Sequence, residues 1–360
     1  MSATMLAAVY HGPDDLRLER RPVPAIGEDE LLLRVASTSI CATDLRVAAG
    51  GHRLYGAGAA RGPGHEMTGV VAAAGRGVRG LPEGQRVFVA PNMGCGECRQ
   101  CRAGRNNLCP RYDAFGITLD GSFAEYMRVT APAIRQGNVM PLPEGADPDV
   151  FALAEPLACV LHGQDAVDVA AGDVVAVLGA GPIGLMHVLL ARQRGARLVI
   201  ATDVVPERLA KALELGADAA VDARNPDLEE RVRDRTAGEG VDAVIVAAPA
   251  HAAMEQAPRL AAARGRINLF AGLPKQQPEI RLDANLVHYK ELAVTGTTAC
   301  STRDCRRAVD LLCSGEVDLS GLIGARYSLD QVSAAFEHAR GRSGLKAMLH
   351  PGGPASKEAT

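Results

Sequence analysis

VVAVLGAGPIG, residues 174–184, joins a five-residue apolar run to a glycine-rich turn. The run Val174–Leu178 contains no polar residue, as suits a strand buried on both faces of a parallel sheet. Gly179, Gly181 and Gly184 follow at G-x-G-x-x-G spacing, with Pro182 and Ile183 between them, and Pro182–Arg194 has helical spacing. Strand, glycine turn and helix in this order form the setting in which a dinucleotide's pyrophosphate rests on a helix amino terminus. A purely structural glycine turn is the competing reading, and the flanking pattern argues against it. A second apolar run, Leu198–Thr202, leads to Asp203, nineteen residues after Gly184. A carboxylate there accepts hydrogen bonds from the adenosine-ribose hydroxyls and repels a 2′-phosphate, which favours NAD over NADP. Arg208 is expected along the next helix or over the adenine.

Further out, Pro206–Leu215 reads as a helix, and Val241–Ala247, Arg266–Ala271 and Ala293–Thr297 read as buried strands. This alternation predicts an α/β, doubly wound parallel-sheet domain over residues 156–298. Upstream the texture differs. Met5–Tyr10, Glu30–Ala36, Met67–Ala74, Arg86–Ala90 and Ser122–Thr130 are short alternating segments punctuated by Gly and Pro. They predict a β-rich domain over residues 1–155. Residues 299–360, with helices near 303–314 and 330–340 and a closing strand at Leu345–Leu349, are assigned back to that first domain.

Two groups of residues suggest metal. Cys95, Cys98, Cys101 and Cys109 are spaced C-x2-C-x2-C-x7-C within the lobe 91–112. Four thiolates satisfy tetrahedral zinc and leave no open position, so this ion is read as structural. Free thiols in a loop and an iron–sulfur cluster are weaker readings. The second group is dispersed: Cys41 in SICATDL, His65 and Glu66 in GPGHEMTG, and Glu155 in LAEPLACV. A thiolate, an imidazole and a carboxylate make a mixed zinc site that can keep one position for substrate. Zinc there polarises an alcohol or carbonyl oxygen. Thr43 is placed to hydrogen-bond that oxygen and pass on its proton. Glu66 is expected to support His65 or to bind the ion when water leaves, and Asp44 to orient His65. Taken singly, each of these residues is as readily a core cysteine, a turn histidine or a capping acid.

Composition narrows the classes. Aromatic residues are 3% of the 360 and Trp is absent, which disfavours base-stacking surfaces. The net charge is -3 with no Lys/Arg run, so neither a nucleic-acid partner nor a zinc-finger nucleic-acid binder built on the cysteine lobe is expected. No apolar run of about 18 residues suggests a membrane span, and no leader is read at the amino terminus, so a cytoplasmic location is expected. The nine cysteines therefore point to metal rather than to disulfides.

The motifs from Cys41 to GLKAML at 344–349 resemble the zinc-containing medium-chain dehydrogenase/reductase family, within its polyol- and threonine-dehydrogenase branch. GHE at 64–66, EPL at 155–157 and SGLKAML at 343–349 carry the branch resemblance. It implies a GroES-like catalytic domain, a Rossmann NAD-binding domain and a cleft between them. It also implies two zinc ions per chain, a small-molecule alcohol substrate and a homodimer or homotetramer. Glu155 would stand where classical alcohol dehydrogenases place a second cysteine ligand, and Cys159 is read as core. Two positions depart from the family pattern. A relaying His is replaced by Arg46, which cannot act as a base, leaving His52 or water to substitute. The Arg–Tyr pair that holds the polyol in sorbitol dehydrogenases is Ala299–Cys300 here. Tyr55, Tyr112 and Phe115 are candidates for the substrate pocket or for ordinary packing, and His162 and His187 for helix or core positions. The expected reaction is hydride transfer between NAD and a secondary alcohol or ketone, such as a polyol, cyclitol or aminocyclitol. The alternatives are an NADP-dependent aldehyde or ketone reductase, and a non-catalytic dinucleotide- or zinc-binding protein.

Overall fold

The computed structural model describes residues 3–50, 60–341 and 345–353. The described residues divide into two compact units: residues 3–50, 60–158, 300–341 and 345–353, and residues 159–299. His52 and Tyr55 lie outside the described residues.

The second unit is built on a six-stranded sheet, every neighbouring pair parallel. The strand order is Ala219–Asp222, Leu198–Asp203, Val174–Leu178, Val241–Val246, Ala261–Leu269, Ala293–Gly296. Chain order reverses beside Val174–Leu178, so the glycine turn leaves the sheet at its topological switch point. All five residues of that strand are buried, as its lack of polar side chains demands. Val174, Ile200, Val244 and Ile267 pack together with Met254 and Leu260 of the helix His251–Leu260. The strand expected at Arg266–Ala271 begins earlier, at Ala261. Its first half, Ala-Ala-Ala-Arg-Gly, lacks β-branched residues and pairs with a register shift, so apolar patterning could not mark it.

The first unit centres on a seven-stranded sheet. Leu31–Ser39 pairs antiparallel with Glu66–Ala74, with Tyr126–Val129 and with the closing strand Lys346–His350. The return of residues 300–341 to this unit brings in Ile323–Ser328, parallel to the closing strand. Leu31, Leu33, Val35, Met67, Val87 and Phe115 are buried together, so Phe115 is a packing residue rather than a pocket lining. The register decides what meets what. Ser39 pairs with Glu66, and Met348 pairs with Ser39. The residues just beyond Ser39, just before Glu66 and at the start of the closing strand therefore gather at one end of the sheet.

Candidate functional site

Cys41 lies two residues past the strand Leu31–Ser39 and caps the helix Ala42–Ala48. His65 immediately precedes the strand Glu66–Ala74. Antiparallel pairing brings them together, and ligand atoms of Cys41, His65 and Glu66 all lie within 4.8 Å of one another. His65 and Glu66 are buried and Cys41 is half-buried. Asp44 ties the two loops: Oδ2 accepts from the Cys41 amide at 2.8 Å, and Oδ1 accepts from the Gly64 amide at 3.4 Å. His65 Nδ1 stands 3.4 Å from the same Oδ1, an ion-pair separation. Burial alone would lower the His65 pKa, but the Asp44 carboxylate and the Cys41 thiol outweigh it and hold the pKa well above the ordinary value. Surroundings that favour a proton on a buried imidazole favour a positive charge at that place generally.

Glu66 is fully buried, and its Oε2 accepts from both the Ser39 hydroxyl and Lys346 Nζ. Its Oε1 and His65 Nδ1 are buried without a hydrogen-bond partner among the described residues. Orphaned buried polar atoms are costly and call for a ligand. A thiol, an imidazole and a carboxylate with an orphaned oxygen fit zinc. Glu155, in the first turn of the helix Ala154–Asp165, is buried but is not one of these three donors. Its Oε1 lies 3.7 Å from Cys300 Sγ. Its charge bears on Lys346 together with those of Glu66 and Cys41. Thr43 stands half-buried in the first turn after Cys41, and Arg46 is exposed near the end of the same helix.

The cysteine lobe is built locally. Sulfurs of Cys95, Cys98, Cys101 and Cys109 lie within 4.8 Å of one another. Backbone amides aim at them: Cys98 N–H at Cys95 Sγ (3.4 Å), Cys101 N–H at Cys98 Sγ (3.5 Å), and Cys95 and Arg111 N–H at Cys109 Sγ (3.3 Å each). Amides from Glu97 and Cys98 lower the Cys95 pKa to about 6, whereas burial pushes Cys101 up to about 12. Gly94 is needed here, since a Cβ would sit 2.4 Å from Cys101 Sγ. The four-sulfur cage with amide donors fits a closed structural zinc site. Tyr112 is drawn to this side by donating its hydroxyl to Asn92 Oδ1 at 2.5 Å.

In the second unit, Gly179 turns with φ +104°, and a Cβ there would meet Ala248 at 2.8 Å. At Gly184 a Cβ would fall 1.7 Å from the Gly179 carbonyl, so the helix Pro182–Gln193 packs against the turn only with glycine. Gly181, the N-cap, supplies no side-chain cap, and Pro182 and Ile183 form the first turn. The helix amino terminus is thus left for an anion. Asp203 is buried. Its Oδ2 accepts from the Ala180 amide (2.7 Å) and its Oδ1 from the Val205 amide (3.0 Å). Arg208 Nη1 lies 3.6 Å from Asp203 Oδ2, so the arginine turns back to the acid.

His162 and His187 belong to the second unit. His187 is buried edge-on to Phe270 at 4.7 Å, and burial lowers its pKa to about 3. The His162 ring lies 2.9 Å from the Ala299 carbonyl oxygen. Cys159, expected in the core, is half-buried. Lys346 is a site residue that sequence reading missed; its signal was a cation opening a strand whose next three residues, Ala347, Met348 and Leu349, are apolar.

Comparison with known proteins places this geometry. Residues 27–144 match the alcohol dehydrogenase GroES-like domain, and residues 182–314 match the zinc-binding dehydrogenase domain. The chain is 33% identical over 353 residues to sorbitol dehydrogenase of Bacillus subtilis (strain 168), covering 96% of this chain and 97% of the relative. It is also 33% identical over 338 residues to L-threonine 3-dehydrogenase of Bacillus velezensis, covering 93% and 95%. A Sinorhizobium meliloti 1021 chain called a zinc-binding dehydrogenase, solved with NADP, superposes with TM-score 0.90 at 34% identity, covering 97% of this chain and all of that one. The chain belongs to the zinc-binding medium-chain dehydrogenase/reductase family, in its polyol- and threonine-dehydrogenase-like branch. It is a zinc-dependent, NAD(P)-linked dehydrogenase, which sets aside a non-catalytic binding role. Among the described residues no helix is long and apolar enough to cross a membrane.

Proposed function

We propose that the enzyme oxidises a secondary alcohol of a polyol, cyclitol or aminocyclitol to the ketone, with NAD as the preferred coenzyme. The observation that carries the reading is the meeting of Cys41, His65 and Glu66 around an orphaned carboxylate oxygen. Cys41, His65 and a glutamate, Glu66 or Glu155, would hold zinc. Zinc supplies a Lewis acid for the alcohol oxygen, and the dinucleotide supplies the hydride acceptor. Asp44 fixes the Cys41 and His65 loops through their amides. Thr43 takes the proton of the substrate hydroxyl and hands it outward. Gly179–Gly184 seats the pyrophosphate, and Asp203 holds the ribose. Cys95, Cys98, Cys101 and Cys109 would hold the second, structural ion.

NADP is a second reading with its own support. Arg208 beside Asp203 offers a cation to a 2′-phosphate, and the Sinorhizobium relative was solved with NADP. A panel of acyclic polyols, inositols, aminocyclitols and L-threonine, read by nicotinamide absorbance with NAD and with NADP, separates these readings. Turnover of a cyclic or acyclic polyol with NAD, lost on chelation, supports the proposal. A strong preference for NADP, or for L-threonine, contradicts the corresponding part.

A further inference from the structure

The second unit holds two polar side chains out of water without completing their hydrogen bonds. Gln164, near the end of the helix Ala154–Asp165, and His187, in the helix Pro182–Gln193, are both 0% exposed. Gln164 Nε2 donates to the His187 carbonyl at 2.8 Å and lies 3.5 Å from His187 Nδ1. Gln164 Oε1 and His187 Nε2 have no hydrogen-bond partner among the described residues. The imidazole meets Phe270 edge-on, with ring centroids 4.7 Å apart and planes at 87°. Gly163 completes the contact, since a Cβ there would lie 2.7 Å from the Phe270 ring and 3.2 Å from His187 Cε1. Asn268, two residues before Phe270, donates its side-chain amide to the Gly163 carbonyl at 2.6 Å. A leucine and a methionine would fill these two places without orphaned atoms, so the polar pair is kept at a cost in stability.

The sheet indicates what lies over this cluster. Leu178 pairs with Val246, and Val246 with Leu269, so Gly179, Ala247 and Phe270 leave the sheet side by side at its carboxyl end. Ala247 N–H bonds the Leu178 carbonyl (2.8 Å), and Ala271 N–H bonds the Val246 carbonyl (3.0 Å). Asp203 ends the strand on the other flank of Val174–Leu178. A dinucleotide with its ribose at Asp203 and its pyrophosphate on Gly179–Gly184 must run on in the opposite direction, over Val241–Val246 and towards Phe270. Two strand spacings, about 10 Å, separate Leu178 from Leu269, which is within reach of the nicotinamide half. We infer that His187 is a positioning residue for the coenzyme: it props Phe270 and so sets the chain on which the nicotinamide half lies. The inference rests on Asp203 being the ribose acceptor. His187 belongs to the helix whose amino terminus faces the pyrophosphate, so one imidazole keeps the two parts of the seat in register. Gln164, bonded to the His187 carbonyl, steadies that helix where the ring leaves it.

The test uses the full chain with both zinc sites loaded. Binding of NADH, read by its fluorescence, is compared with binding of ADP, read by calorimetry, for the wild type, H187L, F270L and H187L/F270L. ADP carries the adenosine and the pyrophosphate but no nicotinamide. H187L is expected to weaken NADH binding about 3–10-fold, the scale of one edge-to-face ring contact, and to leave ADP binding unchanged. The KM for NAD should rise by a similar factor. H187L/F270L should bind NADH no more weakly than F270L alone, because His187 acts through Phe270. A histidine that only packed two helices together would lower Tm and leave the ratio of NADH to ADP affinity as it is in the wild type. Should H187L fail to fold, H187Q carries the same expectation. NADH binding equal to the wild type in H187L, NADH and ADP weakened alike, or full additivity in the double variant overturns the inference. If the wild type does not bind ADP, or Asp203→Gly leaves ADP binding unchanged, the reading of Asp203 itself falls and takes the inference with it.

Discussion

The cysteine lobe and the Cys41–His65–Glu66 group are both clusters of metal-ligating side chains, yet they are assembled in different ways. The lobe draws four donors from fifteen consecutive residues, and its own backbone amides point at the sulfurs. The dispersed group exists only because the strand Leu31–Ser39 pairs in register with Glu66–Ala74 and with Lys346–His350. The lobe is saturated with like donors. The dispersed group mixes three donor types around an oxygen that has no hydrogen-bond partner among the described residues, and it sits beside a buried cation. A closed cage is a brace, and a half-satisfied set tied to the register of distant strands can do chemistry.

Breaking each region should therefore have a different signature. Cys41→Ser should lower kcat/KM about 10³-fold, since Lewis-acid stabilisation of several kcal/mol is lost, while thermal unfolding shifts little. Turnover close to the wild type would remove Cys41 from the mechanism. Asp203→Gly should narrow the NAD-over-NADP preference by about 10–100-fold, the worth of hydrogen bonds to a charged group, without altering zinc content. An unchanged preference would assign coenzyme choice to Arg208 or elsewhere. Cys101→Ser should act on stability instead. A loss of about 2–3 kcal/mol, or about 5–10 °C in Tm, is expected, with little change in KM at temperatures where the variant is folded. A large fall in kcat with an unchanged Tm would contradict a bracing role.

The smallest effect concerns what anchors the closing strand. Asp149 accepts from the Ser37 hydroxyl (2.6 Å) and Arg326 Nε (2.6 Å), and its Oδ1 lies 2.7 Å from His350 Nε2 at the far end of the strand that Lys346 begins. Burial pushes the Asp149 carboxyl up, but His350, Ser37 and Arg326 outweigh it and hold the pKa at about 2. A carboxyl depressed in the folded state stabilises above its unfolded value, near 3.9, and that stabilisation is lost as pH falls through about 2. Asp149→Asn should cost about 2 kcal/mol in denaturant unfolding at pH 7 and progressively less below pH 4. It should also speed zinc loss from the dispersed group and leave the lobe zinc in place. An equal effect on both zincs would mean that the two regions do not differ in their dependence on the sheet.

What could be read before folding follows the same division. Val174–Leu178 was legible because burial on both faces excludes polar residues, and the cysteine lobe because its ligands are neighbours in sequence. Asp15–Pro22, DLRLERRP, was not, because it is a charged, mostly solvated strand held by pairing with Thr4–Gly12. Cys41, His65 and Glu66 were readable only as a family-like pattern, since their meeting depends on register. Glu155 was expected among them; the structure places its Oε1 3.7 Å from Cys300 Sγ, with its charge bearing on Lys346. Lys346 escaped because a lysine opening a strand is usually solvated, and only the fold shows it sealed against Glu66. The turn of Arg208 back to Asp203 is likewise tertiary, so coenzyme preference is less legible than the glycine motif that announces a dinucleotide.

Crystals of the full chain measured on both sides of the zinc absorption edge would test the central claim most directly. The account predicts two anomalous peaks per chain, one inside the cage of Cys95, Cys98, Cys101 and Cys109 and one touching Cys41 and His65, the second with a single sulfur ligand. A lone peak in the cage, or a second peak away from Cys41, would contradict it.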